Sequence, residues 1–330
     1  MRPIRASLSA LLVFCAATHT ARSDWILTAS AALNHDNNVG NAENAASVVA
    51  DSRADARLSL LQQMPFGDGF SLTAGGDLSG QLYDHLSGLN NGSVDGILSL
   101  KKKWGLGAFA PWSRVGVSVG RTEYDDRYRD ATLYSASLEA GKRLNDRWNL
   151  WAKYAFEIRR AAPAESDIYG VSSDVFSQRG RNFKIGVQYS LSERLSLSFG
   201  SLLRHGDVIS TTQVGADIFA NAKAVAPDPT FGPEAYAYRL IGTTFGARVG
   251  LEFSLTSRSL IGFGFQRLDT HARGGYRDVW PESARLLLKP QKRDRESQRN
   301  ERYFEPCVWA APVDGCDHTT GLSVQTRGTR

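Results

Sequence analysis

From about residue 25 to residue 268, polar and apolar side chains alternate with a period of two, in runs far longer than the five or six residues usual for a strand. In 70–83 one face reads Phe70, Leu72, Ala74, Gly76, Leu78, Gly80 and Leu82. The other reads Ser71, Thr73, Gly75, Asp77, Ser79, Gln81 and Tyr83. Successive Cβ atoms on a strand point to opposite faces, so such a segment is apolar on one side and polar on the other along its whole length. Residues 148–160 repeat the pattern. Trp148, Leu150, Ala152, Tyr154, Phe156 and Ile158 lie opposite Asn149, Trp151, Lys153, Glu157 and Arg159.

Eleven such segments are readable, at roughly 25–36, 54–64, 70–83, 93–104, 112–124, 131–144, 148–160, 177–191, 195–207, 237–255 and 259–268. Their connections alternate in length. Those at 65–69, 105–111, 145–147, 192–194 and 256–258 are tight, those at 37–53, 84–92, 161–176 and 208–236 are long and polar, and 125–130 is intermediate. Past residue 24 no run of 18 apolar residues occurs, which excludes helical membrane spans. Long amphipathic strands with short turns at one end and long loops at the other are the pattern of a sheet closed on itself in a bilayer, where every backbone polar group must find a partner.

Aromatics mark the ends of the segments. Trp25, Phe70, Trp104, Trp112 and Trp148 stand beside the short turns, and Tyr83, Tyr124 and Tyr238 toward the long loops. Two belts of amphipathic rings are expected where strands cross the two membrane surfaces.

Residues 1–23 read as a secretory signal peptide, with Arg2 and Arg5 ahead of an apolar run at 6–17 and small residues Ala21 and Ser23 before Asp24. The formal charge of +5 includes Arg2, Arg5 and Arg22, so removing the leader leaves +2. That balance excludes a basic nucleic-acid-binding face as the leading idea. After cleavage only Cys307 and Cys316 remain, an even pair suited to a disulfide in an oxidising compartment and short of the four ligands of a structural zinc site.

Signal peptide, dyad-repeat strands, Gly/Ser/Thr-rich inner positions and alternating loop lengths over 24–268 resemble the outer-membrane β-barrel proteins of Gram-negative bacteria. The resemblance implies an all-β, transmembrane, antiparallel up-and-down barrel of about twelve strands in the cell outer membrane, embedded in lipid and inserted by the barrel-assembly machinery. It implies no cofactor, metal or nucleic-acid partner. The barrel is expected at 24–280 and an irregular, charge-rich segment at 281–330. A closing strand in that segment has two candidate places, 302–311 and 321–327. A narrower resemblance rests on His35-Asp36-Asn37-Asn38-Val39. It is similar to the end of the first barrel strand in surface-lipoprotein assembly modifiers, with His35 where that family carries an aromatic, and it implies a surface-lipoprotein partner.

With apolar faces toward lipid, the inner positions carry Asp77, Asp95, Arg114, Glu139, Arg143, Lys153, Glu157, Arg159, Lys184, Arg204, Arg248 and Glu252. Such charges either tune a water-filled path or fill the interior with salt bridges. One constellation suggests chemistry. His85-Leu86-Ser87 resembles the His-x-Ser of lipid A deacylases, and with Asp95 ten residues on it supplies a base, a nucleophile and an acid. Three readings stand at this point: a passive channel or surface scaffold, a barrel that translocates or displays surface lipoproteins, and an outer-leaflet lipid hydrolase.

Overall fold

A computed structural model describes residues 24–43, 45–163, 173–213, 222–256, 259–273, 306–307 and 323–328. The expected signal peptide, Cys316 and the charge run at 289–300 lie outside them.

The chain climbs and descends in antiparallel strands: β1 (Asp24–Asp36), β2 (Asp51–Phe66), β3 (Phe70–Tyr83), β4 (Asn91–Lys103), β5 (Trp112–Tyr124), β6 (Ala131–Arg143), β7 (Trp148–Ala161), β8 (Gln178–Ser190) and β9 (Leu195–Gln213). After the short β10 (Ala224–Pro227) come β11 (Ala235–Ser254), β12 (Ser259–Arg273), the two-residue β13 (Pro306–Cys307) and β14 (Ser323–Gly328). Each of β1 to β9 pairs with its sequence neighbour, β9 with β11, and β11 with β12. β14 then joins the two ends. Leu27–Ala31 of β1 pair with one of its edges and Ser259–Gly262 of β12 with the other. The pairings thus run through twelve long-range neighbours in a ring, joined at the turn end by a strand only six residues long.

The observed strands agree with the period-two reading to within a few residues, except at the loop end. There β9 continues to Gln213 instead of stopping at 207, and β12 to Arg273 instead of 268. In the upper part of β9, Ser210, Thr211 and Thr212 are all buried, so no polar-apolar alternation marks the segment as a strand.

The two faces are chemically opposite. Outward Leu78, Leu82, Val115, Leu138 and Phe245 are each more than half exposed, whereas inward Thr28, Ser59, Asp77 and Asn182 are buried. A Leu-sized side chain left in water forgoes about 2 kcal/mol of burial. A belt of them around a sheet requires an apolar solvent.

Close approaches also follow from sequence. The turn between β2 and β3 has Gly67 at φ 53° and Gly69 at φ 77°, a backbone region that residues with a Cβ avoid. Inside, Trp112 is paired with Gly141 and Trp151 with both Gly141 and Gly186, and each indole covers a glycine where a Cβ would lie within 3 Å of the ring.

Candidate functional site: the lumen and its mouth

The inner face encloses a cavity of about 640 Å3. Among the described residues that line it, eight are basic (Arg53, Arg57, Arg114, Arg129, Lys153, Arg159, Lys184, Arg204) and four acidic (Asp77, Asp95, Glu157, Asp207), an excess of four positive charges. Ser79, Ser93, Ser118, Ser135 and Asn182 fill the spaces between them.

Strand register organises these charges. Lys101, Arg114, Glu139, Lys153 and Lys184 are direct neighbours on five successive strands, β4 to β8. Glu139 receives Arg114 at 3.4 Å within that row. On the wall formed by β2 and β3, Arg57 pairs with buried Asp77, and Arg53 pairs with Asp55 at 3.2 Å while donating to the Tyr83 hydroxyl at 3.1 Å. Asp95, directly across from Asp77, accepts from Ser93. Toward the turn end the inner wall carries Arg248 over the Trp151 ring at 5.5 Å, and Glu252 accepting from Gln188 and Ser196.

Of the twelve inner charges expected from sequence, eight border this cavity. Glu139 stands on the inner wall between Arg114 and Lys153, and Arg248 and Glu252 lie nearer the turns. Arg143 is a correction. Its guanidinium bonds the carbonyls of Asn145 and Asp146 and lies by the Phe109 ring, so it closes the β6–β7 turn. Arg143 is the last residue of its strand, close enough for a long side chain to reach the turn carbonyls. Arg53, Arg57, Arg129 and Asp207 line the cavity without having been expected there. Arg53, Asp55 and Arg57 stand on one parity of β2 opposite Leu58 and Leu60, so period two marked two of these four. Arg129 and Asp207 carried no such signal, because Arg129 stands in a loop and Asp207, the last residue of the expected strand, falls on the parity opposite to inner Arg204.

Four connections fold over the loop end of the lumen. Residues 37–43 and 45–50 reach the far wall, where the Thr211 N–H donates to the Gly40 carbonyl (2.8 Å), Ser210 Oγ to the Asn41 carbonyl (2.7 Å), and Thr212 and Ser47 share a hydroxyl bond (2.7 Å). A short turn at Arg127–Arg129 presents Arg129 between the rings of Phe176 (4.4 Å) and Phe231 (5.7 Å). Its guanidinium pairs with fully buried Asp228 at 2.5 Å and with Asp126 at 3.3 Å. Asp228 also accepts from Thr211 Oγ1 at 2.9 Å. Around this pair Val175, Phe176, Ala226 and Ala237 form a small apolar core. The mouth is thus a packed assembly of loops with the buried Arg129–Asp228 pair inside it.

No protein-family model matches the chain, and no curated protein matches it by sequence. Solved structures do match its fold. An outer membrane channel from Pseudomonas putida F1 aligns over 95% of this chain and 97% of its own, at a TM-score of 0.52 and 10% identity. The NanC porin aligns over 91% and 98% at 0.43 and 10%, and the KdgM porin, solved with disordered oligogalacturonate, over 91% and 98% at 0.41 and 9%. The chain folds as an outer-membrane β-barrel.

The barrel's aromatics separate into two sets. Trp25, Trp104 and Trp148 are 41–60% exposed near the turns. Phe70 stacks on Phe66 there (5.7 Å), and Trp148 contacts Tyr189 (4.6 Å), two partners the strand-end reading omitted. The other expected belt residues turn inward. Trp112 receives Lys101 and Arg114 over its ring, Tyr83 accepts from Arg53, Tyr124 lines the cavity, and Tyr238 is buried with its hydroxyl on Ser210. All four occupy the inner parity of their strands or lie under the loops, and parity outweighs the preference of a ring for the interface.

His85 and Asp95 do not meet in the barrel. His85 is exposed on the β3–β4 loop, with Nδ1 3.1 Å from Asp51 and 3.5 Å from Asp84, while Asp95 points into the lumen. Ser87 opens a single 3-10 turn. Asp51, Asp84 and His85 bring three potential metal ligands together. The Asp51 carboxylate already accepts the N–H groups of Ser52, His85 and Leu86, so its place is that of a loop cap. Its hydrogen bond and the nearby Asp84 carboxylate push the His85 imidazole above its ordinary value of 6.5.

Proposed function

We propose that the chain is a passive outer-membrane channel for small hydrophilic solutes, with a preference for anions. One observation carries the reading: a polar lumen of about 640 Å3 whose lining holds four more positive than negative charges. Fixed charge on the walls of a water-filled constriction raises the local concentration of counter-ions and sets selectivity. The loops fastened across the mouth favour small solutes over polymers. The fold shared with an outer membrane channel is in keeping with this role.

Reconstitution of the full-length mature chain into planar bilayers with a salt gradient tests the proposal. Discrete conductance steps with a reversal potential on the anion side are expected. Absence of steps, or a reversal potential on the cation side, overturns it.

A further inference from the structure

A second cavity, about 380 Å3, opens at the loop end of β7, β8 and β11, and four of its lining residues (Arg160, Arg179, Lys223 and Arg239) are cations beyond those of the lumen. Strand parity puts its outer part on the barrel's outside. Along β8 the outward positions run Ile185, Phe183, Arg181, Arg179, and along β7 they run Tyr154, Phe156, Ile158, Arg160. Ile185, Phe183, Tyr154 and Phe156 belong to the exposed apolar belt. On both strands the belt gives way to arginine within a few residues of the loop end. That change from hydrocarbon-compatible to cationic side chains marks the level at which lipid headgroups meet the wall.

The cleft is under-neutralised. Lys223 pairs with Asp207 at 2.8 Å and Arg239 with Asp174 at 3.0 Å. Arg160 lies over the Tyr134 ring at 5.6 Å, and among the described residues no carboxylate pairs with it or with Arg179. Nε of Arg239 is buried and accepted by no oxygen among the described residues. Arg159 also borders the cleft but directs its guanidinium to the Arg129 carbonyl on the lumen side. Two exposed guanidinium groups at headgroup height, beside two paired cations, form the donor set that binds a phosphate monoester, for which the planar fork of arginine is suited.

We propose that this cleft holds a phosphate group of an outer-leaflet lipid, anchoring the barrel at the β7–β8 wall. The proposal goes beyond the channel reading, since it concerns the outer surface and stands whether or not the lumen conducts.

The full-length barrel, refolded in an uncharged detergent, is titrated with diphosphorylated lipid A, with the same lipid A stripped of its phosphates, and with inorganic phosphate. The temperature at which the unboiled gel form is lost is read for each. Only the phosphorylated lipid is expected to raise it, and Arg160→Gln with Arg179→Gln is expected to weaken that response roughly thirty-fold. An equal rise with the stripped lipid makes the effect one of acyl chains. A rise with inorganic phosphate makes it a free-ion site. An unchanged response in the double variant places the phosphate elsewhere. Each of these overturns the proposal. Should the double variant fail to fold, Lys223→Gln serves in its place with the same expected loss of response, and an undiminished response counts against the cleft.

Discussion

Arg129 and Asp228, 99 residues apart in sequence, meet over the lumen at 2.5 Å, with the carboxylate entirely buried. Removing one partner of a buried pair leaves the other charge uncompensated, at a cost of about 3–5 kcal/mol. Arg129→Ala is therefore expected to release the loops that carry Phe176 and Phe231 and to raise single-channel conductance. The temperature at which the gel form is lost should change far less, because strand pairing is untouched. Arg129→Ala with Asp228→Ala should lie nearer the parent, since the stranded charge is gone. Unchanged conductance in Arg129→Ala would show that this latch does not set the narrowest point.

Lys184 and Arg204 face the cavity from β8 and β9. Replacing both with Glu changes the lining by two charges each, so the excess of four positive charges vanishes. The reversal potential should then lose its anion preference, with the step conductance retained. Anion preference that survives the double change would move selectivity to the mouth.

His85 offers a pH-dependent readout. Its imidazole titrates above 6.5 because the protonated ring is held by Asp51 and attracted by Asp84. The stabilisation of the loop by this contact is fully present below pH 6.5 and fades as pH rises through the raised value of the folded state. In Asp51→Asn the main hydrogen bond to the charged ring is weakened, so the His85 resonance should titrate closer to 6.5 by NMR. A midpoint unmoved by the substitution would remove Asp51 as the cause.

The β2–β3 turn separates backbone strain from crowding. A Cβ at Gly67 meets nothing within 4 Å, whereas one at Gly69 lies 2.7 Å from the Lys103 carbonyl oxygen. Both have positive φ, so Gly67→Ala and Gly69→Ala each carry about 1–2 kcal/mol of strain. Gly69→Ala should lower the unfolding temperature or refolding yield further, by the added contact alone. Equal losses would show that the Lys103 carbonyl moves aside.

Deacylase-like chemistry can be checked directly with Ser87→Ala. Any lipid hydrolysis by the barrel should persist in this variant, because Asp95 lies in the lumen and Ser87 belongs to a loop turn. Loss of hydrolysis would return Ser87 to the argument.

The strands were legible because a strand declares itself locally. Residues 70–83 and 148–160 alternate without help from any distant partner, and a one-residue slip would turn every Leu into the lumen and every Ser into lipid. The same parity placed most of the inner charges. It also held the answer for Trp112, Tyr83 and Tyr124, where position relative to the turns was a weaker guide than the face on which each ring stands.

Period two, the length of the segments and the alternation of turns and loops determined from sequence alone that this chain forms an up-and-down barrel with an apolar exterior and a charged interior. Tertiary structure decided where the ring joins: of the two places that the sequence offered for a closing strand, 302–311 and 321–327, it is the second, as β14, that pairs with both Leu27–Ala31 and Ser259–Gly262. It decided also that Gly40 reaches Thr211 and that Arg129 reaches Asp228. The physical reason is range. Alternation is fixed by neighbouring residues on one strand, while the joining of the ring and the closing of its mouth depend on contacts across the lumen, which exist only once the barrel has formed.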